Sequence, residues 1–227
     1  MRVLAIDTAL EACSAAVLDT ARANILATET QVMARGHAEA LVPMVARVMA
    51  AAWIGFAELD RIAVTIGPGS FTGLRVGIAA ARGIALAAGK PAVGLTTLSG
   101  FAAPHIATDD TRSIAAVIDA RHEHVYLQVF GPGGRTLVQP RLAPLREAVL
   151  AAVTGSARIV GSAAELVAAS WPRGQAPPIV VDQRGAPDID WVARLGAAAV
   201  EPQGPPKPLY LRPPYAQPQT ANRLLRR

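Results

Sequence analysis

One order of predicted elements occurs twice along the chain, and this repeat constrains the fold more than any other feature. In each half, a short strand that ends in aspartate, Asp7 or Asp119, precedes a strand meander, a helix, a further strand and a further helix. Strands that alternate with helices build sheets covered by helices. The sequence therefore predicts an α/β protein with two lobes that share one duplicated architecture.

The repeat divides the chain into three predicted parts. Residues 1–110 form the first lobe and residues 111–200 a second, degenerate lobe, with the polar run at 108–111 as the connection. After Glu201 the chain holds seven prolines and no acidic residue, and it cannot form a core. Residues 201–227 are therefore predicted to be a Pro-rich basic arm that docks in extended form and ends in a disordered basic segment.

The composition is typical of a globular protein. Hydrophobic residues make up 52% of the chain and charged residues 17%, which is ample for a core. The longest apolar run, residues 76–95, is interrupted by Arg82 and Lys90, and no segment reaches the ~20 apolar residues of a bilayer span. Because no export signal is visible and Cys13 is the only cysteine, we expect a soluble, cytoplasmic protein in which Cys13 is a small buried hydrophobe.

The net charge of +5 comes almost entirely from arginine. Such a charge attracts phosphate backbones, but a general preference for arginine and alanine codons would produce the same balance. The charge alone therefore does not establish a nucleic-acid partner.

A glycine-rich turn joins a predicted strand, 61–67, to a predicted helix, 74–88. Its members are Gly67, Gly69, Ser70, Thr72 and Gly73, and Arg75 follows in the first helical turn. Glycines relax the backbone, the hydroxyls can cap the helix, and the backbone N–H groups can cradle an anion. A cation in the first turn opposes the helix macrodipole, so Arg75 is expected to pair with a carboxylate or phosphate from elsewhere. The alternative is a structural turn with Arg75 in an internal salt bridge.

The two strand-ending aspartates are candidate relics of a nucleotide site. Phosphate binding would favour flexible turns after Asp7 and Asp119, yet neither turn begins with glycine. Both aspartates are therefore predicted to cap their turns, with magnesium-linked catalysis as the alternative. His122 and His124 would share one face of an extended strand, but no further ligand is evident and no metal site is predicted.

Several segments of the sequence resemble the TsaB (YeaZ) family. They are Leu4–Thr8, Gly67–Arg75, Ile118–Arg121, Val125-Tyr126 and Tyr210–Arg212. The nine-residue glycine turn is highly specific, and the other segments are weak individually but occur in the right order. The resemblance implies a duplicated, two-lobed actin-like (ASKHA, ribonuclease H-like) fold. One position departs from the family pattern, because His124 stands where an acidic residue is usual.

The resemblance also implies a function, which is that of a non-catalytic scaffold or dimerisation subunit in tRNA threonylcarbamoyladenosine synthesis. Its partners would be the catalytic paralogue TsaD, which it activates, and the ATPase TsaE, with tRNA contacted indirectly, no membrane, and a homodimer when alone. It would have no cofactor of its own, and ATP or ADP and metal would belong to the partner complex. TsaD-like catalysis needs two histidines one helical turn apart, whereas His37 is followed by Leu41.

Two other functions remain open at this stage. The chain could be an active actin-like transferase that depends on ATP or metal, although the missing histidine pair and phosphate-loop glycines argue against it. It could also be a free-standing RNA-binding module, which the aromatic content of 4% weakens because single-stranded RNA stacks on aromatic rings.

Two helices of the first lobe, about 38–52 and 74–88, are predicted to form the main protein interface. The first has apolar residues beyond its core stripe, and the second is crowded with small residues that allow a close helix approach. The predicted interface residues are Leu41, Val42, Ala46, Met49, Trp53, Gly77, Ala80 and Ala81. The alternative is that both helices lie wholly within the core of their own lobe.

Overall fold

The computed structural model describes residues 1–109, 111–155 and 158–212, which form two five-stranded mixed sheets and their helices. The first half contains β1 (Arg2–Asp7), β2 (Ala12–Asp19), β3 (Asn24–Val32), α1 (His37–Ala51), β4 (Arg61–Gly67), α2 (Phe71–Ala88), β5 (Ala92–Thr96) and α3 (Thr97–Thr108). The second half contains β6 (Ile114–Asp119), β7 (His124–Phe130), β8 (Thr136–Pro144), α4 (Leu145–Thr154), β9 (Arg158–Val160), α5 (Ala164–Ala169), β10 (Val180–Asp182) and α6 (Ile189–Ala198). The predicted disordered end of the arm lies outside the described residues.

Both sheets have the same strand order, β3-β2-β1-β4-β5 in the first and β8-β7-β6-β9-β10 in the second. In each sheet, three strands form an antiparallel meander, and the last two strands run parallel to the central strand. The central strands β1 and β6 are buried along almost their whole length, as expected when helices cover both faces. The predicted duplicated α/β architecture, an actin-like fold with two lobes, is confirmed.

Helices α1 and α2 cover one face of the first sheet. The core stripe of α1 comprises Leu41, Met44, Val45, Val48 and Met49. Helix α2 begins after Ser70, whose hydroxyl accepts a hydrogen bond from the Gly73 N–H, and it ends at Gly89 in the left-handed conformation. These two capping residues explain why α2 begins and ends where it does.

Helix α2 is the one helix among the described residues that has the length and apolar composition of a membrane span. In this fold its residues Leu74, Ile78 and Ala81 are buried in the first lobe, and Arg75 and Arg82 lie on its exposed side. Core helices of globular lobes have the same length and composition, so α2 is weak support for a membrane location.

Two helices are exchanged between the lobes. Helix α3, from the first half of the chain, packs Leu98 and Phe101 against Ile114 of β6. Helix α6, from the second half, packs Val192 against Val3 of β1. The boundary predicted near residue 110 follows the repeat along the chain, and the packing of both helices crosses it.

The described part of the C-terminal arm, residues 201–212, docks on the protein as predicted. The Leu209 N–H donates to the Ile66 carbonyl at 2.7 Å. Three residues later, Nη1 of Arg212 donates to the Ala120 carbonyl at 2.7 Å. Because Ile66 belongs to β4 and Ala120 follows β6, the arm joins the ends of strands in both lobes.

Candidate functional site

The glycine-rich turn presses closely on the turn between β1 and β2. The Ser70 N–H donates to the Ala9 carbonyl at 2.7 Å. A Cβ atom on Gly69 would collide with the Ala9 carbonyl oxygen, and one on Gly73 would collide with the Thr8 carbonyl oxygen. The glycines therefore serve a close contact between two backbone segments.

Among the other predicted members of this turn, Gly67 has a φ of 112°, which favours glycine. The Ser70 hydroxyl caps α2 as predicted, at 3.3 Å from the Gly73 nitrogen. Thr72 is exposed at the start of α2. The turn thus acts first as a helix-starting structure.

Arg75 is exposed and lies against aromatic rings. Its guanidinium carbon is 3.7 Å from the centroid of the Phe71 ring, and its Nε donates to the Tyr210 hydroxyl at 3.1 Å. The two rings are 5.1 Å apart between centroids. No salt bridge to Arg75 occurs within residues 1–109, 111–155 and 158–212, so the internal salt bridge considered from the sequence is not seen there. Cation–π contact and a hydrogen bond to the arm hold the side chain instead.

Asp7 is fully buried at the end of β1. Its Oδ1 accepts hydrogen bonds from the Thr65 hydroxyl and from the Ala9 N–H, the latter at 3.2 Å. Its Oδ2 has no hydrogen-bond partner among the described residues. Burial raises the pKa of Asp7 to about 6, and the bonds from Thr65 and Ala9 offset part of the effect.

The aspartates cap their turns in the predicted way. Asp7 accepts from the N–H two residues later, and Asp119 accepts from the Arg121 N–H at 2.7 Å. Their surroundings differ, because Asp7 is closed inside the first lobe whereas Asp119 is exposed. The two strand-ending aspartates therefore lie in unequal surroundings.

We predict that Asp7 makes the protein less stable as the pH rises from about 4 to 6. The native state holds the proton more tightly than the unfolded chain, whose pKa is 3.8, so protonation favours the native state. The free energy of unfolding should fall by about 2 kcal/mol across this interval and level off near pH 7. Urea denaturation at several pH values would show this fall for wild type and its loss in Asp7→Asn. Parallel curves for the two proteins would contradict the prediction.

The histidines considered as a metal pair lie at a left-handed turn. Arg121, His122 and Glu123 all have positive φ, and Nδ1 of His124 donates to the His122 carbonyl at 2.7 Å. Across the described residues, no group of three or more His, Cys, Asp or Glu side chains is placed to hold a metal ion. His37 donates from Nε2 to the Leu10 carbonyl at 3.1 Å and is largely buried.

The predicted interface residues fall into two groups. The buried group, which belongs to the core of the first lobe, comprises Leu41, Met49, Gly77 and Ala81. The accessible group comprises Val42, Ala46 and Trp53, with Ala80 half-buried. Trp53 is 92% exposed and Val42 65% exposed. Only the second group can contact a partner without a change in the core.

Sequence reasoning missed two buried arginines that hold the exchanged helices. Nη1 of Arg61, the first residue of β4, donates to the carbonyls of Gly196 and Ala199 at the end of α6. Arg158, the first residue of β9, donates in the same way to carbonyls at the end of α3. One feature of the sequence could have pointed to them, because each arginine is the first residue of an equivalent strand in the repeat.

Comparison with known proteins agrees with this fold and these motifs. Residues 22–172 match the family model described as "TsaD: tRNA N6-adenosine threonylcarbamoyltransferase". The Escherichia coli (strain K12) "tRNA threonylcarbamoyladenosine biosynthesis protein TsaB" is 37% identical over 126 residues, which are 56% of this chain and 53% of that protein. The chain thus spans about half the length of this curated relative.

Two further relatives are matched over almost their whole length. An uncharacterized protein of Mycobacterium tuberculosis (strain ATCC 25618 / H37Rv) is 36% identical over 218 residues, 95% of this chain and 94% of that one. The solved structure of YeaZ from Pseudomonas aeruginosa is 28% identical, with a TM-score of 0.79 over 92% of this chain and 99% of that one. The glycine turn, the duplicated fold and these matches together show that the chain belongs to the TsaB (YeaZ) family, within the wider group that the threonylcarbamoyltransferase model describes.

Proposed function

We propose that this protein is a non-catalytic, cytoplasmic subunit in the synthesis of threonylcarbamoyladenosine beside the tRNA anticodon. In this role it binds and activates the catalytic paralogue TsaD. The ATPase TsaE, ATP or ADP and a metal ion belong to the assembled complex, and tRNA is contacted indirectly. When TsaD is absent, the same surface allows a homodimer.

The close packing of the glycine turn on Thr8 and Ala9 carries this proposal. A phosphate held by the Ser70 N–H would have to displace its bond to the Ala9 carbonyl, and the backbone of Ala9 and Thr8 lies close against Gly69 and Gly73. Of the two strand-ending aspartates, Asp7 is the one beside this contact, and it is buried away from solvent. The Ser70 N–H and Asp7 are therefore already engaged within the protein, which supports a binding role over catalysis.

The outer face of α1 supports a protein partner. Arg47 lies on one flank of α1 and pairs with Glu29 on the edge strand β3, so the opposite flank, with Val42 and Ala46, faces towards α2. Trp53 is exposed just beyond the end of α1. Large exposed apolar side chains on neighbouring elements are typical of a contact surface, and tryptophan is enriched among residues that dominate binding energy.

Reconstitution with purified components tests the proposal. The chain alone should neither hydrolyse ATP nor modify tRNA, whereas the chain with TsaD, TsaE, ATP, tRNA and an activated threonylcarbamoyl donor should give modified tRNA. The complex lacking only this chain is the matched control and should show a much lower rate. Turnover by the chain alone that disappears in Asp7→Asn would show that it is an enzyme.

A further inference from the structure

A groove of about 640 Å³ lies at the C-terminal end of α2. Its lining includes Arg82, Leu86 and Lys90 from α2 and the turn after it, together with the arm residues Pro202 and Pro205. Leu86 is 86% exposed although it is a large apolar residue. The groove therefore presents an unpartnered apolar side chain between a helix end and a proline-rich segment.

The charges that line this groove have one sign. Arg82 and Lys90 are its charged lining residues, and no acidic residue lines it. Neither side chain has a hydrogen bond or an ion pair within the described part of the chain, whereas many of the other described arginines bond to a carboxylate or a carbonyl. Glu201 is the lone acidic residue of the arm. It precedes Pro202 in the chain and does not line the groove. Two unpaired cations beside an exposed leucine are complementary to carboxylates carried on an apolar segment.

The chain's own tail does not suit this groove. Residues 213–227 contain three arginines and no acidic residue, so the two cations would repel them. Single-stranded RNA is a poorer occupant than a peptide, because no aromatic residue lines the groove and base stacking needs such rings.

We propose that this groove binds an acidic peptide segment of a partner protein. Its carboxylates pair with Arg82 and Lys90, and an apolar side chain packs between Leu86 and Pro205. The guanidinium of Arg82 supplies a bidentate site and Lys90 a point charge. This contact is independent of the tRNA-modifying role proposed above, since it requires neither TsaD nor tRNA.

Peptide display on the isolated full-length chain tests this proposal. Short random peptides are selected on wild type in the presence of excess soluble Arg82→Glu/Lys90→Glu protein, and the Kd of each enriched peptide is measured by fluorescence anisotropy. The expected peptides combine Asp or Glu with Leu, Ile or Phe. Their Kd should rise at least about tenfold in the double variant. For wild type, the Kd should also rise when salt is added. Gly83→Trp, which puts a ring at the groove edge without a charge change, should also weaken binding.

The matched control is Arg35→Glu/Arg135→Glu. Both double variants lower the net charge from +5 to +1, since each replaces two positive residues by two negative ones. Arg35 follows β3, at the sheet edge opposite β5, and Arg135 lies in the second lobe. The control should leave the Kd nearly unchanged. Failure to enrich acidic peptides, equal binding by both double variants, or binding of oligouridylate that depends on Arg82 and Lys90 would each overturn the proposal.

Discussion

Glutamate in place of Ala46 is expected to abolish tight binding of TsaD while the chain stays folded. Ala46 is exposed on the flank of α1 that faces α2, one helical turn after Val42. In the free chain the new carboxylate remains in water, so the free energy of unfolding should change by less than about 0.5 kcal/mol. In the complex it would be buried without a partner, which raises the Kd for TsaD by at least about 100-fold.

Ala51→Glu is the matched control for this experiment. Ala51 is also exposed on α1, but it lies five residues from Ala46 and therefore about 140° around the helix, on the flank of Arg47. Sedimentation of each variant with and without TsaD measures both the heterodimer and the homodimer. If Ala46→Glu binds TsaD as tightly as Ala51→Glu does, the interface lies elsewhere on the protein.

Alanine in place of Arg61 is expected to lower the free energy of unfolding by about 3 kcal/mol. The guanidinium is buried and donates to the Gly196 carbonyl at 2.9 Å and to the Ala199 carbonyl at 2.6 Å. Truncation leaves these two carbonyls at the end of α6 without their donor and opens a cavity beneath them. Because α6 comes from the other half of the chain, its contact with the first sheet should weaken as well.

Arg2→Ala is the control, because Arg2 forms an exposed salt bridge with Glu58 and should contribute less than about 1 kcal/mol. Arg158→Ala, at the equivalent position in the second lobe, should cost at least as much as Arg61→Ala, because Arg158 is equally buried, holds the end of α3 and also pairs with the Asp109 carboxylate. Urea denaturation of the four proteins gives the comparison. Equal stability of Arg61→Ala and Arg2→Ala would show that the buried hydrogen bonds add little.

Local patterns predicted the order of the elements well. Strand β4 occupies the predicted residues 61–67 and β6 ends at Asp119 as predicted, while α2 begins at Phe71, three residues before the predicted start, and ends at the predicted residue 88. These features depend on residues close together in the chain. The prediction of an anion or carboxylate partner for Arg75 overlooked Phe71, one turn earlier on the same helix, and could not foresee Tyr210, which lies 135 residues away.

The sequence by itself determined the duplicated α/β order, because apolar periodicity, caps and turns are properties of neighbouring residues. It also carried the family motif in the glycine turn. Only the tertiary structure decided that these glycines meet Thr8 and Ala9, that Asp7 is sealed, and that α3 and α6 each cover the other lobe's sheet. The physical reason is that burial and close contact join residues far apart in the chain, and two elements with the same local pattern can pack on either sheet.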